Sequence, residues 1–265
     1  MNCIFCKAST RDSISVEHII PESLGNKGKI LEKGIVCDNC NNYFAIKIEK
    51  PLLDLEYFKC LRARNEIESK KRKIPVENVL FEGSNSHSEI RRPPNSTTLD
   101  VTINDLSFFN QIMNGEIKKL VYPVQFAPPP DNYIISRFLA KVAIEVVAQR
   151  LSVSNEGLEY LVNETQFDEI REFARYGKRH KTWPYHIRSI YKENKIFKSE
   201  ENPDKLQDRL FEYDILMTTK SEYYLVLILK GIEYTINIGG PEIISYYNWL
   251  LENENKSPLY LDKKK

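Results

Sequence analysis

The sequence has no apolar run long enough to cross a membrane: its strongly apolar stretches, such as residues 223–229, fall far short of the ~20 residues a spanning helix needs. A membrane partner is therefore not expected. The N-terminal string MNCIFCKASTRD lacks the charged-then-apolar layout of a secretory signal, so the expected compartment is the reducing cytoplasm. A dominant charge is missing as well. The 38 Lys plus Arg stand against 37 Asp plus Glu, a net +1, so there is no chain-wide field to attract nucleic acid, and any such argument has to be local. Disorder is excluded for the chain as a whole, because 12 Phe, 15 Tyr and a 42% hydrophobic content can fill a core. No internal repeat is evident. At 265 residues the chain exceeds the usual ~100–200 of one domain, and one small and one larger domain are expected.

Cysteine is scarce, with five in all, yet four lie in the first 40 residues as two equal spacings, Cys3-Ile-Phe-Cys6 and Cys37-Asp-Asn-Cys40. A Cys-x-x-Cys step points two sulfurs at one centre, and two such steps complete a tetrahedral thiolate cage. Zinc (Zn2+) suits the cage best; a rubredoxin-like iron would use the same four ligands, and disulfides or unrelated buried thiols are the structural alternatives. Cys60 sits in a helical pattern and reads as a small core residue.

The segment between the knuckles cannot build a core alone, so the metal contributes folding free energy there. Alternation through Ile14, Val16 and His18 predicts a short strand ended by Pro21. Leu24-Gly25-Asn26-Lys27-Gly28 is turn chemistry, and Lys33-Gly34-Ile35-Val36 reads as a second strand running into Cys37. Asn41 and Asn42 can cap a following helix that carries Tyr43, Phe44, Ile46 and Ile48 and is interrupted near Pro51.

These residues resemble the HNH endonucleases with the ββα-metal fold, in their four-cysteine zinc-binding subgroup. The matching string is the first Cys-x-x-Cys, Glu17-His18-Ile19-Ile20-Pro21 with Ser23-Leu24-Gly25, then Gly34-Ile35-Val36-Cys37-Asp38-Asn39-Cys40-Asn41. The resemblance implies that His18 is the general base that activates water against a phosphodiester. It further implies that Glu17 and Asn41, with Asn42 as alternate, bind a catalytic Mg2+ or Mn2+. The residue types agree with those roles. Imidazole titrates near physiological pH, and oxygen ligands suit a hard cation while thiolates hold a different, structural ion. Many members also carry an asparagine a few residues before the third cysteine that orients the histidine. Here Leu31-Glu32-Lys33-Gly34 lacks it, and Asn26 is the nearest upstream asparagine.

Residues 56–74 read as a basic helical connector following the 1–55 module. The wider stretch 45–73 holds nine Lys plus Arg against five acids. Lys59, Arg62, Lys70, Lys71, Arg72 and Lys73 are candidates for phosphate contact, with a solvated linker as the bland reading. Residues 75–265 read as one α+β domain for target recognition or regulation. Its expected strands lie around Val79, Leu80 and Phe81, around Leu99, Val101 and Ile103, and over residues 120–124. The polar residues 83–88, His87 among them, read as a loop. After Pro128-Pro129-Pro130, Asp131 or Asn132 opens the strongest helix, with Ile135, Phe138, Leu139, Val142, Val146 and Val147 on a wide apolar face. A second helix is expected over 167–176. Between Glu172 and Glu193 lie six Lys plus Arg and no acid, interleaved with aromatics. Lys178, Arg179, Lys181, Trp183 and Arg188 are thus candidates for contact with backbone and unpaired bases. His180 and His186 gain no catalytic reading from this context. A C-terminal meander follows, with Lys230-Gly231 as a tight turn, then an amphipathic helix over 242–251 and a basic tail at 263–265.

The expected architecture is α+β, a small zinc-stabilised ββα-metal module followed by a larger mixed domain. The expected function is metal-dependent DNA cleavage, with RNA as the alternative nucleic-acid partner, and defence against foreign DNA as one role. The expected partners are a second copy or a defence protein. The alternative is a catalytically inactive zinc module that binds nucleic acid or protein, and the missing orienting asparagine is its main support.

Overall fold

In the computed structural model the residues described are 1–82, 87–93, 98–103, 105–122, 125–177, 182–198 and 205–261. The order of elements is β1 (Glu17–His18), β2 (Ile30–Leu31), α1 (Asp38–Phe44), α2 (Lys50–Leu53), α3 (Glu56–Arg64), β3 (Glu77–Phe81), β4 (His87–Arg91), β5 (Asp100–Thr102), α4 (Leu106–Met113), β6 (Leu120–Val121), α5 (Tyr133–Leu151), α6 (Asn155–Asn163), α7 (Asp168–Tyr176), β7 (Tyr185–Ser189), β8 (Ile196–Lys198), β9 (Leu206–Asp208), β10 (Phe211–Met217), β11 (Tyr223–Leu229), β12 (Ile232–Asn237) and α8 (Ile244–Glu252). None of the described helices is long and apolar enough to cross a membrane. The mixed α and β architecture agrees with the expected class.

Two compact units result, and their limits differ from the expected 55 and 74. The first joins Met1–Pro21 and Asn26–Pro51 to Pro130–Lys265, and the second joins Glu22–Gly25 to Leu52–Pro129. In the second unit an antiparallel sheet of order β5-β4-β3-β6 carries Val79 and Ile90 inward. Cys60 is buried in α3, as expected of a core residue.

The first unit is organised around α5. Asn132 caps it, its Oδ1 accepting from the backbone N–H of Ile134 and Ile135, so the polar residue that opens the helix also satisfies two of its orphan donors. Every residue from Ile135 to Ala148 is buried, which makes α5 a core helix rather than an amphipathic surface one. It packs on α6, α7 and the antiparallel sheet β10-β11-β12-β7. The inner strand β11 is apolar and buried from Tyr224 to Leu229, Tyr224 lying against Tyr246 and Leu250 of α8.

Local readings differ in places. The strand predicted from Ile14 is only β1, and its partner is β2 at Ile30–Leu31, with Glu17 opposite Leu31 and His18 opposite Ile30. Residues 33–36 form a turn instead, because Gly34 adopts a left-handed φ of +90° that breaks an extended run. Helix α1 starts at Asp38, since Cys37 Sγ itself accepts the N–H of Cys40 and acts as the cap, leaving Asn41 and Asn42 inside the helix. Pro51 does not interrupt it: a π-helical turn over Ala45–Glu49, with Lys50 N–H bonded to Ala45 O, carries the chain into α2. His87 opens strand β4, while the loop residues 83–86 lie outside the described residues, as does the 263–265 tail. Helices α4 and α6 were not legible in the sequence.

The meander is as expected, with β10, β11 and β12 paired in sequence and Lys230 and Gly231 both at positive φ between the last two, +46° and +86°. A Cβ on Gly231 would collide with the Tyr191 carbonyl oxygen. Gly231→Ala should therefore lower stability by at least ~1–3 kcal/mol from backbone strain alone. A urea midpoint equal to that of the parent would contradict this turn geometry.

Candidate functional site

The four knuckle sulfurs, Cys3, Cys6, Cys37 and Cys40, come within 4.8 Å of one another. A tetrahedral zinc with Zn–S bonds of ~2.3 Å places its sulfurs about 3.8 Å apart, so the donor set fits such an ion. The cage is prepared for negative sulfur. Phe5 N–H and Cys37 N–H donate to Cys3 Sγ, and Cys40 N–H donates to Cys37 Sγ. The Cys40 thiol, with backbone donors, draws the Cys3 thiol down to about 5, whereas burial pushes Cys37 up to about 11 and the bond to Cys3 pushes Cys40 up. Protein groups alone thus favour one thiolate among crowded thiols, and a bound divalent cation would let the others ionise.

Helix α7 grips this cage from a distant part of the sequence. Arg175 Nε donates to Cys40 Sγ at 3.3 Å, with its guanidinium 3.7 Å from the Tyr43 ring centroid. Arg171 is 2% exposed; its Nε donates to Ile4 O at 2.6 Å, between the first two cysteines, its Nη2 donates to Leu161 O, and its Nη1 pairs with Asp168. Arg171→Met leaves two buried carbonyls without a donor and should cost about 2–4 kcal/mol. It should also speed zinc transfer to a chromophoric chelator, and a variant with parental melting and zinc release would refute the clamp.

His18 is half-exposed on β1, while the adjacent Glu17 is buried at 4%. Two contacts position this strand. Asn41 Nδ2, from α1, donates to Val16 O at 3.0 Å, which brings Asn41 beside the residue preceding Glu17 and leaves Oδ1 as its acceptor. From the other side Lys141 of α5 places Nζ 2.7 Å from Glu17 Oε1, 3.0 Å from Glu145 Oε2 and 3.1 Å from Glu49 Oε1, and donates to His18 O at 3.3 Å. Lys141 and Glu145 are wholly buried. Despite the loss of hydration, the surrounding carboxylates hold the Lys141 pKa well above its usual value, and burial raises that of Glu145. Asn26, 1% exposed, donates to Ile20 O and Lys29 O and accepts from Gly28 N–H and Lys29 N–H. All of its bonding capacity goes to the turn joining β1 and β2. It thus orients the strand pair that carries His18.

The other candidates are dispersed. Lys70, Lys71, Arg72 and Lys73 are exposed, with Lys70 near Glu22 at 3.8 Å, and Lys59 lies beside Glu56 at 4.0 Å. Two expectations need correction. Arg62 is buried at 7%, so it is packed inside the second unit and presents no guanidinium to a phosphate. Trp183 is fully buried; its Nε1–H donates to Asn237 O, its backbone exchanges hydrogen bonds with Ser136 Oγ, and it cannot offer a face to a base. Arg188 Nε is bound to the Glu233 carboxylate. Asn42 is exposed on α1. Lys178, Arg179 and Lys181 lie outside the described residues, as does His180. Lys141, Glu49, Glu145, Arg171 and Arg175 were missed. One signal for the first was available, a Lys and a Glu at i, i+4 inside an otherwise apolar helical run.

The HNH endonuclease family model matches residues 3–54. With the cysteine cluster it marks an HNH domain at the N-terminus of the chain. No curated protein and no solved structure matches the chain.

Proposed function

We propose that the protein is a metal-dependent endonuclease that hydrolyses DNA phosphodiester bonds, with His18 as the general base. An HNH domain points to nuclease activity and a nucleic-acid substrate in general. The finer reading is carried by one observation: Glu17 and His18, on β1, are tied to Asn41 of α1 through the Asn41–Val16 hydrogen bond, beside a four-cysteine cage.

In this reading the half-exposed His18 imidazole takes the proton of the attacking water. Glu17 and Asn41, with Asn42 as the alternate, are the oxygen donors for Mg2+ or Mn2+, and Lys141 steadies the Glu17 carboxylate through its Oε1. When bound, such an ion supplies charge neutralisation for the phosphate and the leaving oxygen. The cage keeps zinc away from the chemistry because sulfur and oxygen donors sort the two ions by softness. The exposed Lys70, Lys71, Arg72 and Lys73 supply affinity for the backbone without sequence choice. Defence against foreign DNA is a setting in which such an activity serves.

His18→Ala should lower Mg2+- or Mn2+-dependent nicking of supercoiled plasmid by about 10²–10⁴-fold while retaining zinc and parental melting. Equal cutting by both proteins, or no metal-dependent cutting by the parent on DNA or RNA, would overturn the assignment. Replacing Lys70, Lys71, Arg72 and Lys73 together with Ala should weaken DNA binding and flatten its salt dependence, the log–log slope falling by about 0.9 for each phosphate that is no longer neutralised. An unchanged slope in a fluorescence-anisotropy titration would remove this run from the interface.

A further inference from the structure

We propose that Lys141, on α5 and far outside the segment that matches the HNH family, is a positioning residue of the nuclease centre. The inference rests on the function proposed above and names a part of the site that the HNH segment does not contain. A single ammonium touches the two adjacent residues of β1 in different ways: it pairs with the Glu17 carboxylate at 2.7 Å and donates to the main-chain carbonyl of His18 at 3.3 Å. Its Nζ also lies 5.9 Å from the Phe44 ring centroid on α1, the helix that bears Asn41. Strand and helix of the centre are thus both referenced to one buried point.

That point is rigid. Lys141 lies in the middle of a helix buried along almost its whole length, and Glu145 one turn later and Glu49 from the π-helical turn hold its Nζ from other directions at 3.0 and 3.1 Å. An ammonium has only three N–H groups, and they are shared among three carboxylates and one carbonyl, so rotation of the group breaks at least one of these bonds. Fixing one carboxylate oxygen of Glu17 orients the group as an outer partner does for a metal-binding carboxylate, and loss of such a partner typically costs 10–100-fold in metal affinity. A generic core lysine would have no reason to bond both residues of the strand that carries the base.

The test compares Lys141→Met, which removes the ammonium shared by three acids, with Lys141→Met/Glu145→Gln, which restores the formal charge of these four groups. Mn2+ affinity by isothermal titration calorimetry, zinc content, thermal melting and plasmid nicking are measured on the full chain. The expected result is a double variant that melts cooperatively, keeps its zinc, binds Mn2+ about 10–100-fold more weakly and nicks more slowly. Parental Mn2+ affinity in a folded double variant overturns the proposal. Loss of fold in both variants overturns it too, because the cluster would then serve stability alone. A parent protein that binds Mn2+ yet cuts no nucleic acid would sink the nuclease reading while leaving the Mn2+ comparison interpretable.

Discussion

Two buried cations govern the first unit. Arg171 and Lys141 are withdrawn from water, and each spends its charge on the N-terminal module, one on the carbonyl of Ile4 and the other on Glu17 and His18 O. Taking an ion out of water costs several kcal/mol unless its partners are well placed, and removing one side of such a pairing typically costs about 3–5 kcal/mol. The geometry of these contacts is therefore strongly constrained. Around fifty residues with two-residue strands would otherwise have little to hold them. The cysteine cage is braced by α7, and β1 is braced by α5.

The same arrangement separates two kinds of chemistry over a short distance. The sulfur donor Cys40 and the oxygen donor Asn41 are adjacent in α1, the first taking part in the cysteine cage and the second bonded to Val16 O beside β1. The knuckle also caps that helix, so the geometry of the cage and the placing of Asn41 are mechanically linked. Asn26 contributes at one remove. Its four hydrogen bonds fix the connection between β1 and β2, and the antiparallel register then fixes where His18 stands.

The parts of this design that are local in the chain were legible. Equal cysteine spacings, the Glu17-His18 pair, the Asn132 cap and the Lys230-Gly231 turn each depend on residues within a few positions of one another, and periodicity or motif captures them. What failed were inferences that depend on where a side chain goes after folding. Trp183 and Arg62 sit in basic stretches, but tertiary packing draws both inward. The strand expected at residues 33–36 lost to a glycine in a left-handed conformation, and the stop expected at Pro51 lost to a π-helical turn that tolerates it. Lys141 could be recognised only as an oddity. Its partners Glu17 and Glu49 are remote in sequence, and nothing short of the fold brings them together.

The long-range bond from Arg171 to Ile4 spans 167 positions, and this has a consequence for the chain as it is made. When residues 3–54 leave the ribosome, the helix that clamps their first knuckle is not yet translated. At usual synthesis rates of ~5–20 residues per second the missing helix follows on the order of ten seconds later. Until then Ile4 lacks its guanidinium and β1 lacks its lysine. The nascent module is thus an unfinished object, and the order of synthesis itself delays these contacts until α7 has been made.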